Sequence, residues 1–198
     1  MIPEGMYDIP AGHTPTVVTY LEMTAPAMTG AKPFPEGIAA NRETPSIGDY
    51  RALFRAVGSP WLWSSRLEME EGKLADILAS DATEVWVIRK GATPIGLVEL
   101  AFQSGGDCEL SYFGIVTSAT GQGLGGPMMA LAQSRAFGRP IKRFYVHTCN
   151  WDDPRALAFY QRAGFIPYKM AVEVFPDPRI QGIHPPDTAP HVPYFGQP

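Results

Sequence analysis

The sequence predicts a single α/β domain with a mixed, mostly antiparallel central sheet flanked by helices. Three observations predict it. Hydrophobic spacing switches between the helical and the strand period along the chain. The strands first run together through short turns and later alternate with helices, which calls for antiparallel pairing early and helical crossovers late. The 198 residues, 45% hydrophobic and 18% charged, suffice for one core.

Residues 1–15 are rich in turn formers and read as an N-terminal arm. "TPTVVTYLEM" (14–23) has the β-branched and aromatic density of a strand. Residues 24–45 read as a long loop, because their prolines and glycines oppose a regular element. "SIGDYRALFRAVG" (46–58) reads as a helix: Ser46 is the N-cap, and Ile47, Tyr50, Leu53, Phe54 and Val57 share a face. An aromatic connector (59–67) leads to a helix over 68–80 with an acidic first turn, which suits the helix dipole.

The pattern then alternates. "TEVWVIRK" (83–90) and "PIGLVELAFQ" (94–103) form a hairpin, and "CELSYFGIV" (108–116) follows. A glycine-rich loop precedes a helix from Leu124 to Phe137, with Pro127 tolerated in its first turn. A strand over 141–148 leads to "DPRALAFYQRAG" (153–164), read as a helix with an Asp N-cap, Pro at the first position and a closing Gly. The last strand is "FIPYKMAVEVF" (165–175), and 176–198 reads as a Pro-rich, extended C-terminal arm. The domain proper therefore spans 16–175.

Composition excludes several functions. A net charge of −4 argues against a nucleic-acid partner and favours cationic or neutral small substrates. Two cysteines, Cys108 and Cys149, make neither a disulfide framework nor a CxxC metal pair, so no metal is expected. The N-terminus carries no secretory pattern and no apolar run approaches a membrane span, so a cytoplasmic location is the expectation.

The loop "ATGQGLGG" raises the functional question. Gly121, Gly123 and Gly126 spell G-x-G-x-x-G, but the acidic residue that a dinucleotide site needs about 20 positions on is missing. Too little chain follows for a doubly wound sheet. What remains is an anion site made from backbone N–H groups and a helix N-terminus.

This loop, followed some thirty residues later by "DPRALAFYQRAGF", resembles the GCN5-related N-acetyltransferases over residues 46–175. The family loop motif, Gln/Arg-x-x-Gly-x-Gly/Ala, falls on Thr120, Gly123 and Gly125. The second motif falls on Asp153, Ala156, Tyr160, Gly164 and Phe165. Thr120 replaces Gln or Arg, and Asp153 replaces the commoner Asn.

The resemblance implies acetyl-CoA as cosubstrate and transfer to a primary amine by direct attack in a ternary complex. Gly121, Gln122, Gly123, Leu124, Gly125 and Gly126 would hold the pyrophosphate. The backbone of Phe113, Gly114, Ile115 and Val116, on a strand splayed from its neighbour, would bind the pantetheine arm. Asp153 and Ala156 complete that site. A backbone N–H near Ile115 or Val116 is the expected oxyanion donor, and Tyr160 the expected acid for the leaving thiolate.

Glu109 is the expected base. Apolar neighbours could raise its pKa, and its spacing to the loop is similar to that of the catalytic glutamate in the histone-acetylating branch. Glu99 or a water chain are the alternatives, and His147 reads as a structural histidine. Trp61, Trp63, Tyr50 and Arg51 are candidates for an acceptor pocket, the acceptor being a small-molecule or peptide amine. A non-catalytic acyl-CoA-binding module is the other reading, and a homodimer is open.

Overall fold

A computed structural model describes residues 3–27 and 33–196. Strand β1 (His13–Met23) is followed by β2 (Ile38–Glu43), α1 (Ile47–Gly58), a short 3-10 turn (Ser59–Trp61), α2 (Ser65–Glu68) and α3 (Glu71–Ala79). Then come β3 (Thr83–Lys90), β4 (Thr93–Phe102), β5 (Asp107–Ile115), α4 (Gly125–Phe137), β6 (Arg143–Cys149), α5 (Ala156–Arg162) and β7 (Ile166–Pro176). One seven-stranded sheet has the order β2-β3-β4-β5-β6-β1-β7. Every neighbouring pair is antiparallel except β5 with β6.

The ladder between β5 and β6 is short. It pairs Asp107 with Arg143, Cys108 with Phe144 and Glu109 with Tyr145, and no further. Both strands continue beyond it, β5 to Ile115 and β6 to Cys149, so the sheet opens into a wedge. A bulge helps. The β4 register steps from Glu99 opposite Tyr112 to Leu100 opposite Leu110, which leaves Ser111 as the extra residue on β5. Such an insertion bends its strand and increases local twist.

Apolar clusters cover the two faces of the sheet. On one face Leu124, Met128, Met129, Phe144 and Phe165 pack around α4 and α5. On the other, Tyr50, Phe54, Val57, Leu74 and Leu97 pack around α1 and α3. Helix α1 starts as the sequence suggests, with the Ser46 hydroxyl accepting from the Asp49 N–H. The third residue of α3's expected stretch takes over as its cap, because the Glu70 carboxylate accepts from the N–H groups of Gly72 and Lys73.

Three expectations change. Part of the expected loop over 24–45 is strand β2, an edge strand paired to β3; residues 28–32 lie outside the described residues. "IAANRE" lacks the β-branched density that signals a strand, and its partner supplies the order instead. Helix α5 starts at Ala156 rather than Asp153, with Arg155 in the N-cap position. The Asp153 carboxylate is engaged by the Arg155 N–H and guanidinium, so it closes a turn before the helix.

The third change is the tail. From Asp177 it folds back onto the domain rather than extending from it. Arg179 is enclosed with its partner Asp177, and its guanidinium also donates to the carbonyls of Thr188, Val192 and Pro193. Ala189 and Val192 pack on Leu62 and Trp151. The His184 and His191 rings bond the carbonyls of Trp63 and Trp151. One buried, fully bonded arginine thus orders a segment that has almost no regular structure.

Candidate active site

A cavity of about 730 Å³ fills the wedge between β5 and β6. Its two ends are made of different materials.

At one end lies the glycine loop. Gly121 and Gly123 have φ of +83° and +76°, a conformation open to glycine with little strain. Helix α4 begins at Gly125, and its N-cap residue, Leu124, offers no side-chain acceptor. The first N–H groups of α4 are therefore left for an external anion. Leu124 itself is buried in the core, so only its backbone is available. A Cβ on Gly125 would lie 3.2 Å from the Phe159 ring, which ties the loop closely to α5.

Phe113, Gly114, Ile115, Thr120, Gly125, Asp153 and Ala156 line the cavity, together with Phe159 and Tyr160. Val116, Gly121, Gln122, Gly123, Leu124 and Gly126 do not line it. The Val116 N–H donates to the Ile95 carbonyl, so Val116 is spent and cannot be the oxyanion donor. Antiparallel ladders alternate, so the N–H groups of Ile115 and Phe113 point away from β4, towards the wedge. Gly114 faces the other way: a Cβ there would meet Val57 at 2.6 Å, so the close approach that requires glycine is to α1.

Tyr160 is buried in an aromatic box of Phe113, Phe159 and Phe165. Burial pushes its phenol pKa upwards, assisted by the Asp152 charge, so it keeps its proton.

The other end is made of side chains from distant elements. Trp61 and Trp63 come from the connector, Ser65 and Glu68 from α2, Tyr112 from β5, His147 and Cys149 from β6, Trp151 and Asp152 from the following turn, Glu173 and Phe175 from β7, and Gln181 from the tail. Asp152 braces this wall, accepting from the Thr148 hydroxyl, the Cys149 N–H and the Trp63 indole.

Glu109 does not line the cavity; His147 does. His147 Nδ1 lies 3.4 Å from Glu109 Oε1. The contact with His147 holds the Glu109 carboxyl below its ordinary range, against the opposing effect of burial. The expectation that apolar neighbours raise its pKa is therefore corrected: the histidine outweighs them. His147 is raised in turn, chiefly by Glu109. His147, read from spacing as structural, lines the cleft and pairs with Glu109 of the neighbouring strand.

Glu99 is fully enclosed. It accepts from the Tyr50 hydroxyl and pairs with Arg66 at 2.6 Å. Arg66 lies over the Tyr112 ring, whose hydroxyl meets Ser65 at 2.5 Å. Arg51 donates to the carbonyls of Arg66 and Met69. Tyr50, Arg51 and Glu99 thus brace the connector from behind and do not line the cleft. Trp151, Asp152, Glu173 and Gln181 carry no motif; the turn after β6 brings the first two here, β7 the third and the folded tail the last. No cluster of metal-ligating side chains occurs among the described residues, and no helix among them is long and apolar enough to cross a membrane.

Similar folds are found among solved structures. A GCN5-related N-acetyltransferase from Kribbella flavida is 20% identical with a TM-score of 0.55, over 84% of this chain and 60% of that one. An IAA acetyltransferase from Bacillus cereus is 20% identical with a TM-score of 0.51, over 67% and 79%. An aminoglycoside acetyltransferase from a soil metagenome is 16% identical with a TM-score of 0.51, over 66% and 89%. The chain spans 53% to 63% of the length of several such structures. No curated protein matches it. The model of the acetyltransferase (GNAT) family matches residues 50–165, a stretch that contains the wedge, the glycine loop and Tyr160, and on that match the chain belongs to the GNAT family.

Proposed function

We propose that the protein transfers an acetyl group from acetyl-CoA to a primary amine within a ternary complex. The observation that carries this reading is the wedge itself. It joins an uncapped helix N-terminus, inward N–H groups on β5 and a protonated tyrosine at one end to a histidine–carboxylate dyad at the other.

The residues present fit the cosubstrate. The N–H groups of the loop from Gly121 to Gly126, other than that of Gln122, which bonds the Ala119 carbonyl, suit a pyrophosphate, and the Phe113 and Ile115 edge of β5 suits the amides of a pantetheine arm. The bound thioester supplies the electrophilic carbonyl. The Ile115 N–H would stabilise negative charge on its oxygen. His147, oriented by Glu109, takes the proton from the attacking amine, and Tyr160 gives its proton to the leaving sulfur. The new C–N bond replaces the C–S bond, with one proton lost by the amine and one gained by the thiolate.

On the acceptor side, Glu68, Asp152 and Glu173 place carboxylates around the aromatic wall, which favours a positively charged acceptor. Two free cysteines, one of them buried, fit a reducing cytoplasm.

The test is a free-thiol assay with acetyl-CoA and a panel of amines, beside calorimetry with CoA. CoA binding with turnover of at least one cationic amine is the expected result. CoA binding with no turnover across polyamines, aminoglycosides, amino acids and peptides would replace the enzyme with an acyl-CoA-binding module.

A further inference from the structure

Strand β7 closes one edge of the sheet, and its outer side has no partner among the described residues. Such an edge is ordinarily blunted by charge, proline or a covering loop. Here two prolines stand near the strand ends and one charge of each sign lies between them, yet large apolar side chains are exposed as well. Ile166 and Met170 are 69% and 70% exposed, Val172 is 53% exposed, and Tyr168 and Val174 are exposed as well. Met170, Val172 and Val174 share one side of the sheet and form an apolar row, extended sideways by Val17 opposite Val172 on β1, while the bulge at Tyr168 turns Ile166 to the other side.

We propose that this edge pairs with the same edge of a second copy, antiparallel about a twofold axis at Ala171, to give one continuous sheet across a homodimer. The sequence of β7 selects the register. A twofold axis perpendicular to an antiparallel pair must pass through a residue that faces its own copy, because facing residues share one side of the sheet. With the axis at Ala171, Lys169 faces Glu173 of the partner subunit, and the pair occurs twice. The same register sets Met170 against Val172 of the partner subunit, and this pair too occurs twice. Moving the axis one residue either way sets Lys169 against alanine or phenylalanine. Opposite charges and apolar pairs directly across a ladder are favourable, so only the Ala171 register satisfies both sides of the strand. Pro167 and Pro176 fall towards the ends of the paired stretch, where a missing N–H does least harm.

The register makes an atomic prediction. Facing Cα atoms in an antiparallel ladder are about 4.5–5.5 Å apart, within disulfide range. In a Cys149→Ser background, Ala171→Cys is expected to form an intermolecular disulfide on mild oxidation, whereas Glu173→Cys, which faces Lys169, is expected to form little. Sedimentation of the wild-type chain is expected to give twice the 21.6 kDa chain mass. Lys169→Glu is expected to shift the dimer towards monomer by at least tenfold in Kd, and the swap Lys169→Glu/Glu173→Lys to restore it. Far-UV circular dichroism of each variant checks that it is folded. A monomeric wild type at about 100 μM, or a dimer that neither forms the residue-171 disulfide nor responds to the charge reversal, would overturn the proposal. None of these readouts depends on acetyl transfer.

Discussion

The two ends of the cleft are built by different means. The end proposed for the cosubstrate is backbone: a loop with positive-φ glycines, an uncapped helix start and the inward N–H groups of one strand, all between Phe113 and Gly126. The end proposed for the acceptor is side chain. Trp63, Tyr112, His147, Trp151 and Glu173 come from separate elements, and the folded tail and the Glu99–Arg66 pair hold them from behind. A contiguous backbone site tolerates changes in nearby side chains. A side-chain site assembled from five elements can be re-specified by a single one of them. On the proposed function, the difference lets acyl-carrier recognition and acceptor choice vary independently on one scaffold.

The sharpest way to break the comparison is to disorder one end alone. Arg179→Ala strands Asp177 without its partner in a buried position and is expected to destabilise the protein by about 3–5 kcal/mol. Thermal unfolding measures that loss. At a temperature where the variant remains folded, acceptor KM should rise while the CoA Kd stays put, and an equal loss in both would erase the distinction.

The converse is Gly123→Glu. It puts a side chain and a negative charge at a φ of +76° where the anion is expected. CoA affinity should fall at least about 100-fold, roughly 2.7 kcal/mol, with circular dichroism unchanged. Calorimetry showing wild-type affinity would remove the loop from the site.

Tyr160→Phe sits at the junction of the two ends. Loss of the proton donor should lower kcat by about 100-fold and leave CoA affinity alone. Equal effects on both would make Tyr160 a packing residue.

The mildest change tests the dyad through pH. Glu109 raises the pKa of His147 above its ordinary 6.5. Below that raised value the imidazole already carries its proton and cannot accept another, so activity should climb as pH rises through it. Glu109→Gln removes the negative charge, and the rising limb of kcat/KM should move to lower pH. A limb that stays in place would return His147 to a structural role.

Much of the cofactor end is legible in sequence because its information is contiguous. "TEVWVIRK" and "PIGLVELAFQ" show their strands within a residue, and the loop and α4 show themselves through glycine and proline. Strand β2 escapes because an edge strand of small and polar residues is ordered by its partner. The start of α5 escapes because Asp153 has a neighbour, Arg155, that competes for its carboxylate. The tail reads as an arm because its order comes from one buried ion pair, which has no period. His147 escapes for a related reason. Its meaning lies in Glu109, which only the short parallel ladder between β5 and β6 brings alongside.

Strand β1 carries one more consequence. It is made first, yet its partners are β6 and β7, so His13 meets Pro176. The β6-β1-β7 part of the sheet therefore cannot close until β6 and β7 have left the ribosome, and an early apolar strand must wait for them. Closing so long a loop makes the step slow relative to the local hairpins of β3, β4 and β5. A nascent chain halted before β6 would expose β1, and such a chain is the species from which a chaperone would most need to guard this fold.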